Sequence, residues 1–186
     1  MMNPSSRHPY PLRGLLVDYL WIKVTLQKEK GLLYEVMADS NLITALQPRH
    51  PEVWSFHGHN MAYNISVMTN TPEERWAWVN AGLSLVRDKG LRYNPNSLLL
   101  CKELAFWFSH KLDGVADDAH LTYKRQFARE VRRVLKPGGR CALESVVAGS
   151  GELHFPCFWA AVPAHSFVPS PEALRSAFAE AGLRET

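Results

Sequence analysis

Several features that would place a protein quickly are missing from this sequence. Cysteine is scarce: Cys101, Cys141 and Cys157 are odd in number and widely spaced, with no CxxC pair. That argues against a disulfide framework or a zinc ribbon, and for three reduced, partly buried thiols in a cytosolic protein. No stretch approaches the ~20 apolar residues of a membrane span. The start, MMNPSSRHPYPLRG, has no apolar core of signal-peptide type. Charge imbalance is small, a net +3 over 186 residues, too weak to argue for nucleic acid by itself. No GxGxG run stands before Lys136. A glycine-rich turn must follow a strand and open a helix to cradle a cofactor phosphate or nucleoside, so none is expected here.

What is present favours a folded, helical chain. The hydrophobic fraction is 46%, with six Trp and eight Phe, enough for a sizeable core and too aromatic for disorder. Pro4, Pro9 and Pro11 disfavour helix, so residues 1–13 are expected to form a flexible arm. Apolar residues then recur at helical spacing in Leu15, Leu16, Tyr19, Leu20, Ile22 and Leu26, and Gly31 ends the run. A second helix, 32–46, has Leu33, Val36, Met37, Ile43 and Leu46 as candidate core. Pro51 suits a first helical turn, and the third helix, 52–68, carries Trp54, His57, Gly58, Met61 and Ile65. Thr71-Pro72-Glu73-Glu74 is a helix start, with a capping hydroxyl and early acids. The fourth helix uses Trp76, Val79, Leu83 and Val86. Asn96 or Ser97 caps the fifth, which runs to Leu112, and Asp117 or Asp118 opens the sixth, ending near Lys136-Pro137-Gly138-Gly139. Trp54, Leu83, Leu104 and Phe108 are expected to be buried. Beyond Gly139 the texture changes: 140–147 reads as a strand, and Ser170-Pro171-Glu172 starts a last helix that Gly182 ends.

Two resemblances overlie this reading. Pro48 is followed by Trp54, His57, Gly58 and Met61, and Pro95 by Leu98, Cys101, Leu104, Ala105 and Phe108. Each series sets a turn proline, an anchor, a small residue and a large one. The region resembles the tetratricopeptide family of helical repeats, although the two prolines stand 47 residues apart against ~34 in a standard repeat. The stretches ITALQPRHPEVW, NMAYNIS, GLRYNPNS and DDAHLTYKRQFA resemble a group of bacterial repeat-like proteins. That likeness implies a fold and no mechanism.

The second covers about Phe127 to Arg184. FAREVRRVLKPGGRCALES resembles the helix, Pro-Gly-Gly turn and strand of class I AdoMet-dependent methyltransferases. FPCFWA and SFVPSPEALRSAFAEAGL look like the late segments of small-molecule methyltransferases acting on amines or phenols. The family's AdoMet turn and ribose-binding acid lie upstream of this part and have no counterpart here. Without them the resemblance implies no cofactor for this chain alone, and AdoMet only if a partner chain or a divergent site completes the fold. A lone strand leaves unpaired N–H and C=O groups. Either the last ~50 residues are loosely ordered or the strand pairs between two copies, since a two-stranded pair is itself marginal in water.

Candidate residues follow. His57 and His59 point about 200° apart on a helix, so no metal site is expected. Arg125, Arg129, Arg132, Arg133 and Lys136 line one side of the sixth helix, opposite Phe127, Val131, Val134 and Leu135. This is a basic amphipathic face, with no aromatic residues interleaved to stack on bases. If the repeat-like helices form a concave groove, spacing nominates Ser55, His59, Tyr63, Lys102, Phe106 and Ser109. Glu144 is the substrate-side candidate implied by the methyltransferase resemblance.

The expected architecture is mostly α: an arm (1–13), a repeat-like domain of antiparallel helix pairs (14–128), and a partial α/β methyltransferase-like segment with one strand and one helix (129–186). The leading functional expectation is a non-catalytic interaction module with a protein partner, cytoplasmic, fused to an incomplete methyltransferase-like segment as a fusion or truncation product. The alternative is a small-molecule methyltransferase, and a basic-helix nucleic-acid binder stands third, recognisable by steep salt dependence.

Overall fold

The computed structural model describes residues 10–185. Seven helices of eight residues or more are present among them: α1 (Tyr10–Glu29), α2 (Leu33–Leu46), α3 (Pro51–His59), α4 (Pro72–Ser84), α5 (Leu98–Trp107), α6 (His120–Val134) and α7 (Pro171–Ala179). Three of them run on into wider π turns, Asn60–Ile65 after α3, Leu85–Gly90 after α4 and Phe108–Leu112 after α5. The chain divides into two compact units, one of Met1–Thr69 with Ala77–Leu104, the other of Asn70–Trp76 with Ala105–Thr186.

In the first unit, α1, α2 and α3 share a dry core of Val17, Leu20, Val24, Val36, Ile43 and Val53. Trp21 and Phe56 meet edge-on beside it at 5.1 Å. Of the six apolar residues at helical spacing in α1, only Leu20 is buried. Leu15, Leu16, Tyr19, Ile22 and Leu26 point to solvent, because α1 carries two apolar stripes and α2 covers the one built on Val17 and Val24. The helix also begins at Tyr10, inside the expected arm, with Pro11 in its first turn where a missing N–H breaks no bond. The rest of the arm, 1–9, lies outside the described residues.

Trp54 ties the Pro48 turn to the helix that follows. Its indole N–H donates to the Pro48 carbonyl at 2.8 Å, and the Asn94 side-chain amide donates to the same carbonyl at 2.9 Å. This explains the six-residue spacing from turn proline to anchor. Where the chains of α3 and α4 approach, a Cβ on Gly82 would stand 2.6 Å from the Gly58 carbonyl oxygen. Gly90 is nearly as confined, its would-be Cβ 3.1 Å from that of Trp54. Glycine at both positions follows from this close approach.

Local signals are realised closely. Thr71 and Glu74 form a reciprocal capping box, with Glu74 N–H donating to Thr71 Oγ1 at 3.2 Å and Thr71 N–H to Glu74 Oε2 at 3.3 Å. Ser97, not Asn96, caps α5 by accepting from Leu100 N–H. Ser170 caps α7, and Gly31, Gly138 and Gly182 take the left-handed conformation.

Three further expectations fail. Residues 140–147 form no strand: the described residues hold no sheet, and their one bridge joins Cys157 to Ala160. No second run of β-forming residues exists to pair with it, and a ladder needs a partner. Phe108, expected in the core, is 37% exposed. The buried positions of α5 and its π turn run through Leu104, Trp107, Lys111 and Leu112, a register that turns Phe108 outward. Cys101 and Cys141 are exposed rather than partly buried.

Candidate functional site

The second unit is organised around one carboxylate. Asp117 lies in the turn before α6. Its Oδ1 accepts from Arg75 Nη1 at 3.0 Å and from Ala119 N–H at 3.0 Å. Its Oδ2 accepts from Lys111 Nζ at 2.6 Å and Tyr123 OH at 3.1 Å. Burial would raise this carboxyl's pKa, but the Lys111 ammonium, the Ala119 amide and Arg75 outweigh it and hold it at about 2. Tyr123 is driven upward by burial and by the adjacent Asp117. Arg75 also bonds Asp118, and Trp76 packs on Tyr123 with ring centroids 6.0 Å apart.

A second cation closes the end of the Phe108–Leu112 turn. Lys124 Nζ donates to the carbonyls of Leu112 (3.2 Å), Asp113 (2.7 Å) and Gly114 (3.3 Å) and reaches His120 Nδ1 at 3.3 Å. These are the orphan carbonyls that every helix end must satisfy. Burial lowers Lys124 to about 8 against the pull of Asp113. Burial, and then the Lys124 charge, lowers His120 to about 4.

Beside this framework lies a cleft of about 280 Å³. Ala105, Phe108, Leu112, Phe127, Leu143 and Phe178 form its apolar walls, with Ser109, Asp113, Lys124 and Glu144 supplying its polar atoms. Phe108 and Phe127 meet edge-on at 6.2 Å across one wall. Ala105, Phe108, Ser109 and Leu112 stand at i, i+3, i+4 and i+7, which sets them on this one surface where α5 runs into its π turn. Such turns recur at functional positions.

The nominated groove residues divide between the units. In the first, Ser55 is half-buried, Lys102 is exposed, and His59 stacks on Tyr63 at 4.6 Å. Burial lowers the His59 pKa, with Glu103 opposing, and raises that of Tyr63. In the second, Phe106 stacks on His110 at 4.8 Å, while Ser109 lines the cleft. Glu144 is exposed at the cleft rim. Sequence reading therefore named two of the lining residues, for different reasons, and missed the rest. It took Asp117 as a helix-opening residue and overlooked Arg75, Lys111, Tyr123 and Lys124. The even spacing of Lys111, Asp117 and Tyr123 was the one available signal.

The basic face of α6 is partly tied down, with Arg125 bonded to Glu180 at 3.2 Å and Arg133 to Glu130 at 2.8 Å. Among the described residues no group of three or more His, Cys, Asp or Glu could hold a metal ion, and no helix is long and apolar enough to cross a membrane. No protein-family model, curated protein or solved structure matches the chain.

Proposed function

We propose that this protein is a non-catalytic helical interaction module, with repeat-like helix pairs and a C-terminal segment of methyltransferase resemblance, acting in the reducing cytoplasm. Its binding element is the cleft of the second unit, and its partner is a protein segment presenting one apolar side chain next to a lysine or arginine. The observation that carries this reading is the lining. Aromatic and aliphatic walls surround a volume at the lower edge of small-molecule pockets, which suits a single side chain. The cation of the lining, Lys124, is held by three carbonyls and lies 3.8 Å from the Asp113 carboxylate, whereas Glu144 offers its carboxylate to a basic neighbour. Asp117 accepts four hydrogen bonds and Lys124 caps a helix, so the buried ionisable groups serve the fold rather than a reaction. The cofactor reading stays the same: no AdoMet for this chain alone.

Peptide display against the purified chain tests this. The expected result is enrichment of peptides with an aromatic or aliphatic anchor flanked by Lys or Arg, their binding lost in Ala105→Trp, which fills the cleft, and weakened in Glu144→Lys. Enriched peptides indifferent to both substitutions would place binding elsewhere. Saturable heat on titration with AdoMet would replace the interaction reading with the enzymatic one.

A further inference from the structure

The outward stripe of α1 has a spacing that a solvated helix face does not need. Leu12, Leu15, Tyr19, Ile22 and Leu26 are 75%, 66%, 60%, 63% and 50% exposed. They follow one another at intervals of three, four, three and four residues. This is the a/d repeat of a coiled-coil seam, two heptads long, about 21 Å at 1.5 Å per residue. The opposite side of the same helix, Val17, Leu20 and Val24, is buried in the core of the first unit. The seam is therefore a second, separate apolar face, not an edge of that core.

We propose that α1 pairs in parallel with the α1 of a second copy of this chain. The charges beside the stripe specify this occupant. With Leu12 at position a, Asp18 falls at g and Lys23 at e. In a parallel pair, residue g of one helix faces residue e of the next heptad on the other, five positions on. Asp18 of each copy then meets Lys23 of its partner, twice by symmetry. An antiparallel pair would set Asp18 opposite Thr25 and bring the two Lys23 side chains to the same edge. Asp18 is exposed, and Lys23, which also bonds Asp39 at 2.9 Å, keeps 42% of its side chain exposed. The apolar stripe is narrow, and the opposite side of α1, at Val17, Leu20 and Val24, belongs to its own fold. The contact is thus limited to one partner, and its length puts it at the small end of specific interfaces, so the dimer dissociates on dilution.

Sedimentation equilibrium on the full chain, over a dilution series, reads the association. The expected result is a reversible dimer whose dissociation constant rises by more than about tenfold in Ile22→Glu, with the helical circular dichroism unchanged. Asp18→Lys and Lys23→Asp should each weaken self-association, and an equimolar mixture of the two should form a heterodimer. A chain that stays monomeric at high concentration overturns the proposal, as does a dimer indifferent to Ile22→Glu. A dimer lost in both charge variants and not regained on mixing overturns the parallel register.

Discussion

In the first unit the buried histidine, His57, has no hydrogen-bond partner for either ring nitrogen among the described residues. In the second, His120 is buried beside Lys124, whose ammonium reaches its Nδ1. Burial lowers both pKa values to about 4, with a lysine as the second cause in each, Lys89 for His57 and Lys124 for His120. The surroundings nevertheless differ. His57 is fully buried, and Asn60, three residues on, is buried too, with its amide nitrogen likewise unbonded among the described residues. His120 belongs to a set of ionisable groups that hold one another in place around Asp117 and the carbonyls after Leu112. Equal titration behaviour can thus arise from opposite construction. The first unit tolerates one unsatisfied polar ring, whereas the second depends on every member of a network being present.

That contrast is broken most severely at Asp117. Asp117→Asn keeps a similar shape and removes the charge that faces Arg75 and Lys111, both largely buried. Breaking one partner of a buried ionic cluster costs about 3–5 kcal/mol. Chemical denaturation should show a loss of that size. Hydrogen exchange should rise in peptides from 105–135 and stay as it was in 33–47. A loss under ~1 kcal/mol would mean that the network behaves as a solvated surface cluster.

Acid sharpens the comparison next. A histidine with a folded pKa below its ordinary value leaves the unfolded chain binding more protons between the two values. The stability due to neutral His57 is complete above pH 6.5 and declines as the pH falls toward 4. For this fully buried ring the decline is on the order of 3 kcal/mol. His57→Leu removes that sensitivity and the two unsatisfied nitrogens, so it should stabilise the chain at neutral pH by ~1 kcal/mol and make the profile from pH 6.5 to 4 shallower, leaving the decline due to His120. Thermal melts across that range are the measurement. A destabilised His57→Leu variant would show that the ring nitrogens are bonded in solution.

The smallest effect concerns the capping box. Thr71→Ala removes the hydroxyl that receives Glu74 N–H at the start of α4. It should cost about 1 kcal/mol, with Thr71→Asp retaining most of the stability. An unchanged melting temperature in the alanine variant would show that α4 is held by its packing alone.

How much of this was legible beforehand depends on distance along the chain. Helix starts at Thr71 and Ser170 were readable because a capping hydroxyl and the N–H that donates to it lie three residues apart, and the start at Pro51 because proline suits a first helical turn. The burial of Val36, Ile43, Val79, Leu83 and Val86 was readable from periodicity. The strand at 140–147 was misread because β-propensity at Val146 and Val147 says nothing about whether a partner strand exists. The cleft was hardly legible at all, since its walls come from three helices and an irregular segment.

By itself the sequence determined that the chain is helical, where most helices begin and stop, and that residues near Pro48 and Trp54 belong together. Those outcomes rest on bonds closed within one or two turns. Tertiary structure alone decided which of the two apolar stripes of α1 would be buried. Both stripes satisfy helical periodicity, and only the placement of α2 against Val17, Leu20 and Val24 chooses between them. It also decided that Arg75 and Asp117, 42 residues apart, would share a buried ion pair. Asp117, read from the sequence as a helix opener, lies in the turn before α6 and became the centre of the second unit because folding brought the distant Arg75 to a carboxylate that Lys111 and Tyr123 also bond.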